Sequence, residues 1–238
     1  MNSFIIQLVI MQFNKVNAII TNLYHKKSYS LLNLFHSKGI IHTIIYNSTI
    51  KKFKSNINNL VKANFEIVKE KNLCKIIEVN DEEFIMQDLI YEKLIIIYLW
   101  IKLINLSFDD GECFKLFIEA TEILNTTSLE KAQLIDLQYK IRFLIIKGFL
   151  YLSKLCFQCN KQIDNHYYYD IHINGFNCIN CTNNQNNYIN TGSFKYLEYT
   201  TQKNIKETLN VNLISKSKEL IKTMIKNKIN TEFEQTLL

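Results

Sequence analysis

The chain has 238 residues, of which 47% are hydrophobic and 21% charged, enough for one large domain or two to three small ones with a core that needs no disulfide support. With aromatic content of 12% and ordinary charge, disordered and fibrous classes are excluded. Proline is absent, glycine numbers only 5, and Arg142 is the sole arginine among 28 basic residues, the residue usage of AT-rich coding DNA.

The net charge of +6 is unevenly distributed. Residues 1 to 75 carry 11 lysines against Glu66 and Glu70, a balance of +9; residues 76 to 150 stand at −6 and the remainder at +3. A basic first third suits a polyanion-binding module, because neutralised phosphates release their counterions.

The opening segment MNSFIIQLVI is too short for a membrane span and has neither a basic leader nor a small-residue cleavage site. It is read as an N-terminal extension over 1–14, with Met11 the expected start of translation. Between 15 and 80, short runs rich in Ile, Val, Phe and Tyr predict five strands: Val16 to Tyr24, Ser28 to Phe35, Ile40 to Tyr46, Val61 to Val68 and Leu73 to Val79. Five short strands with polar loops suggest a small barrel, for which an OB-fold is the expected type.

From Asp81 the spacing turns helical, and a helical bundle is expected over 81–150. One helix is predicted from a cap at Asp81 through Asn105, a second from Asp109 to Leu124, and a third opened by a Thr127/Glu130 capping box. The third carries Leu134, Leu137, Ile141, Leu144 and Ile145 on one face and stops near Gly148. The apolar run Leu89 to Phe108 is broken by Glu92, Lys93 and Lys102, so it reads as a buried helix. A cysteine module is expected over 151–199. C-terminal helices are expected over 200–238, from Thr200 to Leu209 and Val211 to Ile229, packing on the bundle; in the second, Leu220, Ile221, Met224 and Ile225 lie opposite Lys218, Lys222 and Lys226. The fold class is therefore α+β.

The strongest signal is C-F-Q-C at 156 to 159 and C-I-N-C at 178 to 181. Each pair wraps a tight turn that aims two thiolates at one ion, and two pairs complete the tetrahedral shell of zinc. Cys156, Cys159, Cys178 and Cys181 are thus the expected ligands of one structural Zn2+. Four thiolates leave no position for water or substrate, and binding would supply folding free energy to a segment with little core of its own. A redox dithiol and metal-free thiols are the competing readings. His166 to Ile173 reads as a strand leading to a turn at Asn174 and Gly175; His166 and His172 read as surface residues, and Cys74 and Cys113 as small buried hydrophobes. Glycine-rich phosphate loops, the dinucleotide fingerprint, G-x-S-x-G and H-E-x-x-H are all missing, and the adjacent Asp109 and Asp110 read as a helix start. An enzyme is not expected.

The order of basic barrel, bundle, four-cysteine module and closing helices resembles the RecO family of bacterial recombination mediators. A-I-I-T-N-L-Y (18 to 24), S-L-L-N-L-F (30 to 35) and S-K-G-I-I-H (37 to 42) look like the family's opening strands. I-R-F-L-I-I-K-G-F-L (141 to 150), then L-C-F-Q-C and G-F-N-C-I-N-C, resemble its last bundle helix and zinc module. The loop Y-N-S-T-I-K-K-F-K (46 to 54) departs from the family's Gly- and Arg-rich loop: it keeps the charge and loses bidentate arginine contacts.

The resemblance implies a cytoplasmic, nucleoid-associated, non-enzymatic protein of DNA repair and recombination. It implies binding of single- and double-stranded DNA, annealing of complementary strands, engagement of single-strand-binding protein, and help with RecR in loading RecA. An OB-type groove would offer cations to the backbone and aromatic faces to bases. Lys26, Lys27, Lys38, Lys51, Lys52 and Lys54 are the expected phosphate contacts, with Lys154 and Lys161 extending the path. Tyr24 and Tyr29 suit base stacking and a barrel core equally well. The alternative is a zinc-stabilised RNA-binding or protein-interaction module.

Overall fold

The computed structural model describes residues 12–50, 60–70, 73–85, 90–107, 111–182, 188–211 and 215–233. It divides into two compact units, Met1–Gln87 and Asp88–Leu238.

In the first unit, strands β1 (Gln12–His25), β2 (Tyr29–His36), β3 (Gly39–Tyr46), β4 (Val61–Glu70) and β5 (Leu73–Phe84) close a barrel in the order β1-β2-β3-β5-β4. The pairings are antiparallel except β3 with β5, where Thr43 faces Cys74 and Ile44 faces Lys75. This is the expected five-stranded OB-type barrel. Alternation builds it: Ala18, Ile20, Leu32, Leu34, Ile45, Ala63, Phe65 and Ile76 point inward to one core, with Cys74 packed against it, while the intervening residues face outward. A one-turn helix, α1 (Asn47–Ile50), follows β3.

Two boundaries differ from expectation. β1 starts at Gln12, which pairs with Lys69, so 12–14 belong to the barrel and not to an extension. Asp81 caps no helix: it sits within β5 with a left-handed φ of 53°, where the register with β4 shifts, and its carboxylate accepts from Asn64 Nδ2 at 2.8 Å. The acidic run Asp81 to Glu83 is the end of a bulged strand.

The second unit opens with α2 (Tyr91–Leu106), followed by α3 (Phe114–Thr126) and α4 (Leu129–Ile146). α2 is only half buried. It packs Ile97, Trp100, Ile101 and Ile104 inward and leaves Tyr91, Ile95, Tyr98 and Leu99 exposed. Buried Lys93 on its inner side reaches Thr127 O. α4 is the central helix, touching α2, α3 and the C-terminal helices. It therefore buries Ile135, Gln138, Tyr139 and Phe143 besides the expected Leu137, Ile141 and Leu144, while Leu134 and Ile145 are only partly covered. Tyr139 stacks on Trp100 at 4.2 Å.

No capping box opens α4. Its cap is Ser128, without a side-chain bond, and the Thr127 hydroxyl turns back to Ile123 O. Its other end follows the expectation. Gly148 takes φ 73°, its N–H reaches Ile145 O at 3.0 Å and that of Phe149 reaches Leu144 O at 2.7 Å, a Schellman ending.

After the cysteine turn, β6 (His166–Asp170), β7 (Gly175–Asn177) and β8 (Tyr188–Asn190) form a sheet ordered β7-β6-β8. β6 ends before Ile173, because 171–174 are the hairpin turn, with Asn174 at φ 56°. Helix α5 (Thr191–Gln202) starts nearer the cysteines than expected, capped by Asn190 Oδ1 at 2.8 Å from Ser193 N. Then come α6 (Ile205–Thr208) and α7 (Ser215–Phe233), the latter against α4, α5 and β8. Ile221, Met224 and Ile225 are buried as expected, but so is Lys228, whose Nζ donates to Ile171 O at 2.9 Å and pairs with Glu232. The cysteine segment is not short of core either: Tyr167 stacks on Phe194 at 3.9 Å, and Phe176 packs edge-on to both.

Candidate metal centre and nucleic-acid face

The two C-x-x-C turns meet. The Sγ atoms of Cys156, Cys159, Cys178 and Cys181 all lie within 4.8 Å of one another, so these four can hold one metal ion. Backbone geometry aims them. In the first turn Asn160 N–H donates to Cys156 O at 2.9 Å, Asn160 takes φ 59°, and Cys156 N–H returns to Lys161 O at 2.8 Å. In the second, Cys181 N–H donates to Cys178 O at 3.0 Å. The turns are also tied to each other, since Cys178 N–H donates to Cys156 Sγ at 3.3 Å.

Two observations test the fit of a cation. Cys159 and Cys178 sulfurs stand 3.8 Å apart; a tetrahedral ion with bonds of about 2.3 Å sets its sulfurs about 3.8 Å apart. The protonation pattern agrees. Burial alone would raise the Cys156 thiol, but backbone N–H groups of Cys159, Cys178 and Gln158 bring it down to about 6. Cys181 is pushed up to about 12, first by its hydrogen bond with Cys159 and then by desolvation. The Cys156 thiolate forms readily while Cys181 resists ionisation; a cation among the four sulfurs removes that conflict. His166 and His172 are exposed and outside the four-sulfur cluster. Cys113 is buried at the start of α3.

The barrel presents a second feature. Lys26 and Lys27 are exposed in the β1–β2 turn, which is pinned by Lys26 N–H to Tyr29 O at 2.8 Å and by Asn47 Nδ2 to Lys27 O at 3.0 Å. Tyr24 is 58% exposed and Tyr29 partly so, and neither joins the barrel core. Register completes the face. Tyr24 pairs with Leu31 and Leu31 with Ile44; Tyr29 pairs with Tyr46; Asn33 pairs with His42. Tyr46 and Leu31, at 40% and 38% exposure, are contact candidates not singled out from the sequence. Counting by twos from Tyr29 reaches Leu31, whereas Tyr46 joins the face only through its pairing with Tyr29.

Lys38 is exposed in the β2–β3 turn, at the other end of β2 from Lys26 and Lys27, on the order of 20 Å away along the strand. It is not brought together with them. Lys51, Lys52 and Lys54 lie outside the described residues. Elsewhere on the barrel lysines are offset by cross-strand acids, Lys15 by Glu66 at 2.8 Å and Lys62 by Glu83 at 3.9 Å. Among the described residues no carboxylate pairs with Lys26, Lys27 or Lys38. Lys154 is held by Glu198 at 3.1 Å, whereas Lys161 is exposed.

A comparison with protein-family models finds no match to this chain, and a comparison with curated proteins finds none either. Among the described residues no helix is long and apolar enough to cross a membrane.

Proposed function

We propose that this chain is a non-enzymatic DNA-handling protein of the RecO kind, stabilised by one structural zinc ion. The observation that carries the reading is the outward face of β1, β2 and β3, where Tyr24, Tyr29 and Tyr46 accompany Lys26 and Lys27, which have no carboxylate partner among the described residues. Rings that can stack on any base, next to cations that neutralise phosphates, make a sequence-tolerant surface for single strands. An OB-type barrel is a scaffold on which that surface commonly occurs. Zinc is favoured by the all-sulfur donor set and by the 3.8 Å between the Cys159 and Cys178 sulfurs, and with four protein ligands it holds the fold without reacting. In this reading the protein anneals complementary strands, acts with RecR and single-strand-binding protein to help load RecA, and works in the cytoplasm at the nucleoid.

The test is a salt titration of single-strand affinity for the wild type and a Lys26→Ala/Lys27→Ala variant. The variant should bind more weakly, and its log affinity against log salt should flatten by about 0.7 per lysine removed. Unchanged affinity and slope would remove this turn from the site. Preference of the wild type for folded RNA would reassign the surface to RNA.

A further inference from the structure

The tips of both cysteine turns are apolar and open. Phe157, the residue after Cys156, is 59% exposed, and Ile179, the residue after Cys178, is 54% exposed. Tyr151 and Leu155, on the approach to the first turn, are exposed at 62% and 44%. Scattered surface apolar residues are ordinary; these four flank two turns whose cysteine sulfurs all lie within 4.8 Å of one another.

The backing is rigid. Phe157 N–H donates to Phe176 O at 3.0 Å and Tyr151 N–H to Asn174 O at 2.6 Å, so both lie along the β6–β7 hairpin. A Cβ added at Gly175 would lie 3.7 Å from the Phe157 ring, which therefore rests one edge on a residue without a side chain. Beneath, Phe176 is locked in the aromatic core with Tyr167 and Phe194. Beside the first tip is Lys161, whose carbonyl fastens Cys156 N–H and whose ammonium has no carboxylate partner among the described residues.

We infer that the paired cysteine-turn tips, Phe157 and Ile179 with Tyr151 and Lys161, form a second binding surface for unpaired bases of single-stranded nucleic acid. The ring faces and Ile179 stack on or pack against bases, and Lys161 contacts the phosphates. Zinc-held turns are a known way of presenting side chains to unpaired bases, and aromatic faces with an adjacent cation suit any base. Duplex DNA, whose bases are already stacked on each other, gains nothing from these tips. The inference rests on the nucleic-acid reading of the barrel and adds the metal module as a contact.

The test uses the full, zinc-loaded chain and a fluorescent poly(dT) strand, comparing the wild type with Phe157→Ala/Ile179→Ala at equal metal content. Single-strand affinity should fall about tenfold while duplex affinity is unchanged. A poly(dT) strand carrying 5-iodouracil should photo-crosslink to the peptide containing Tyr151 and Phe157 in the wild type. Wild-type affinity in the metal-loaded variant, with crosslinks only on barrel peptides, would overturn the inference and leave the proposed function standing. Loss of binding to single-strand-binding protein with single-strand affinity intact would make the tips a protein-docking surface and overturn it also. A wild type that binds no single strand would overturn both.

Discussion

The barrel and the cysteine module are stabilised in different ways. The barrel closes on itself: every strand has two hydrogen-bonded neighbours and an alternating inner face, so its core follows from a period of two. The module has a sheet of only three short strands, two turns tied through sulfur, and a hairpin pinned to the helices around it. Asn174 Nδ2 donates to Gly148 O at 3.3 Å, Tyr169 Oη to Phe149 O at 3.4 Å, and Lys228 to Ile171 O. One region is held by a regular ladder, the other by a small aromatic core and a few specific contacts. The second should be far more sensitive to single changes.

Metal removal should show this most strongly. Chelation, or Cys178→Ser, should abolish metal binding and strip hydrogen-exchange protection from 151–182 while the barrel strands stay protected. Loss of protection in both regions together would show that the barrel depends on the metal as well. Next comes Lys228→Ala, which leaves Ile171 O without its donor and Glu232 without its cation. A loss of about 3 kcal/mol in denaturant unfolding of the second unit is expected; a change near zero would mean that the buried ammonium and its half-buried partner are dispensable.

Arg142→Lys should cost less, about 2 kcal/mol. The guanidinium donates to Gln138 Oε1 and Lys203 O, both at 2.5 Å, joining α4 to the turn after α5, and a single ammonium cannot reproduce that fork. Equal stability of the two proteins would show that charge alone suffices there. The smallest effect belongs to the barrel. Burial, with Lys38 nearby, holds the His36 pKa below its ordinary 6.5, and Lys38 N–H donates to His36 Nδ1 at 3.2 Å. Because the unfolded chain takes up the proton first, stability should fall as pH drops below about 6.5. His36→Gln should flatten that dependence, measured as denaturant midpoints at about pH 7.5 and 5.5.

The same contrast explains what could be read from the sequence. The five strands stood out because inward and outward residues alternate, and the four ligands because two C-x-x-C turns have few other uses. The end of β5 is hard to read because it carries Asp81, Glu82 and Glu83, acids that in a sequence imitate a helix start; on the barrel Asp81 and Glu83 are exposed and Glu82 is half-buried. The start of α5 is hidden in the sequence because its buried Phe194, Tyr196, Leu197 and Thr200 follow Thr-Gly-Ser, a poor helix opening that the Asn190 cap supports. Lys228 was hidden by company: Lys218, Lys222 and Lys226 form an outward stripe, whereas Lys228, seven residues after Ile221, falls on the buried face. The aromatic face of the barrel needed the pairing register, which places Tyr46 opposite Tyr29.

The most direct test of the account is annealing of complementary fluorescent DNA strands coated with the cognate single-strand-binding protein, with and without the zinc-loaded chain, at low and high salt. The account predicts faster annealing that weakens as salt rises. No acceleration by a folded, metal-loaded sample at either salt would contradict it, leaving the four-cysteine centre without a DNA-annealing role.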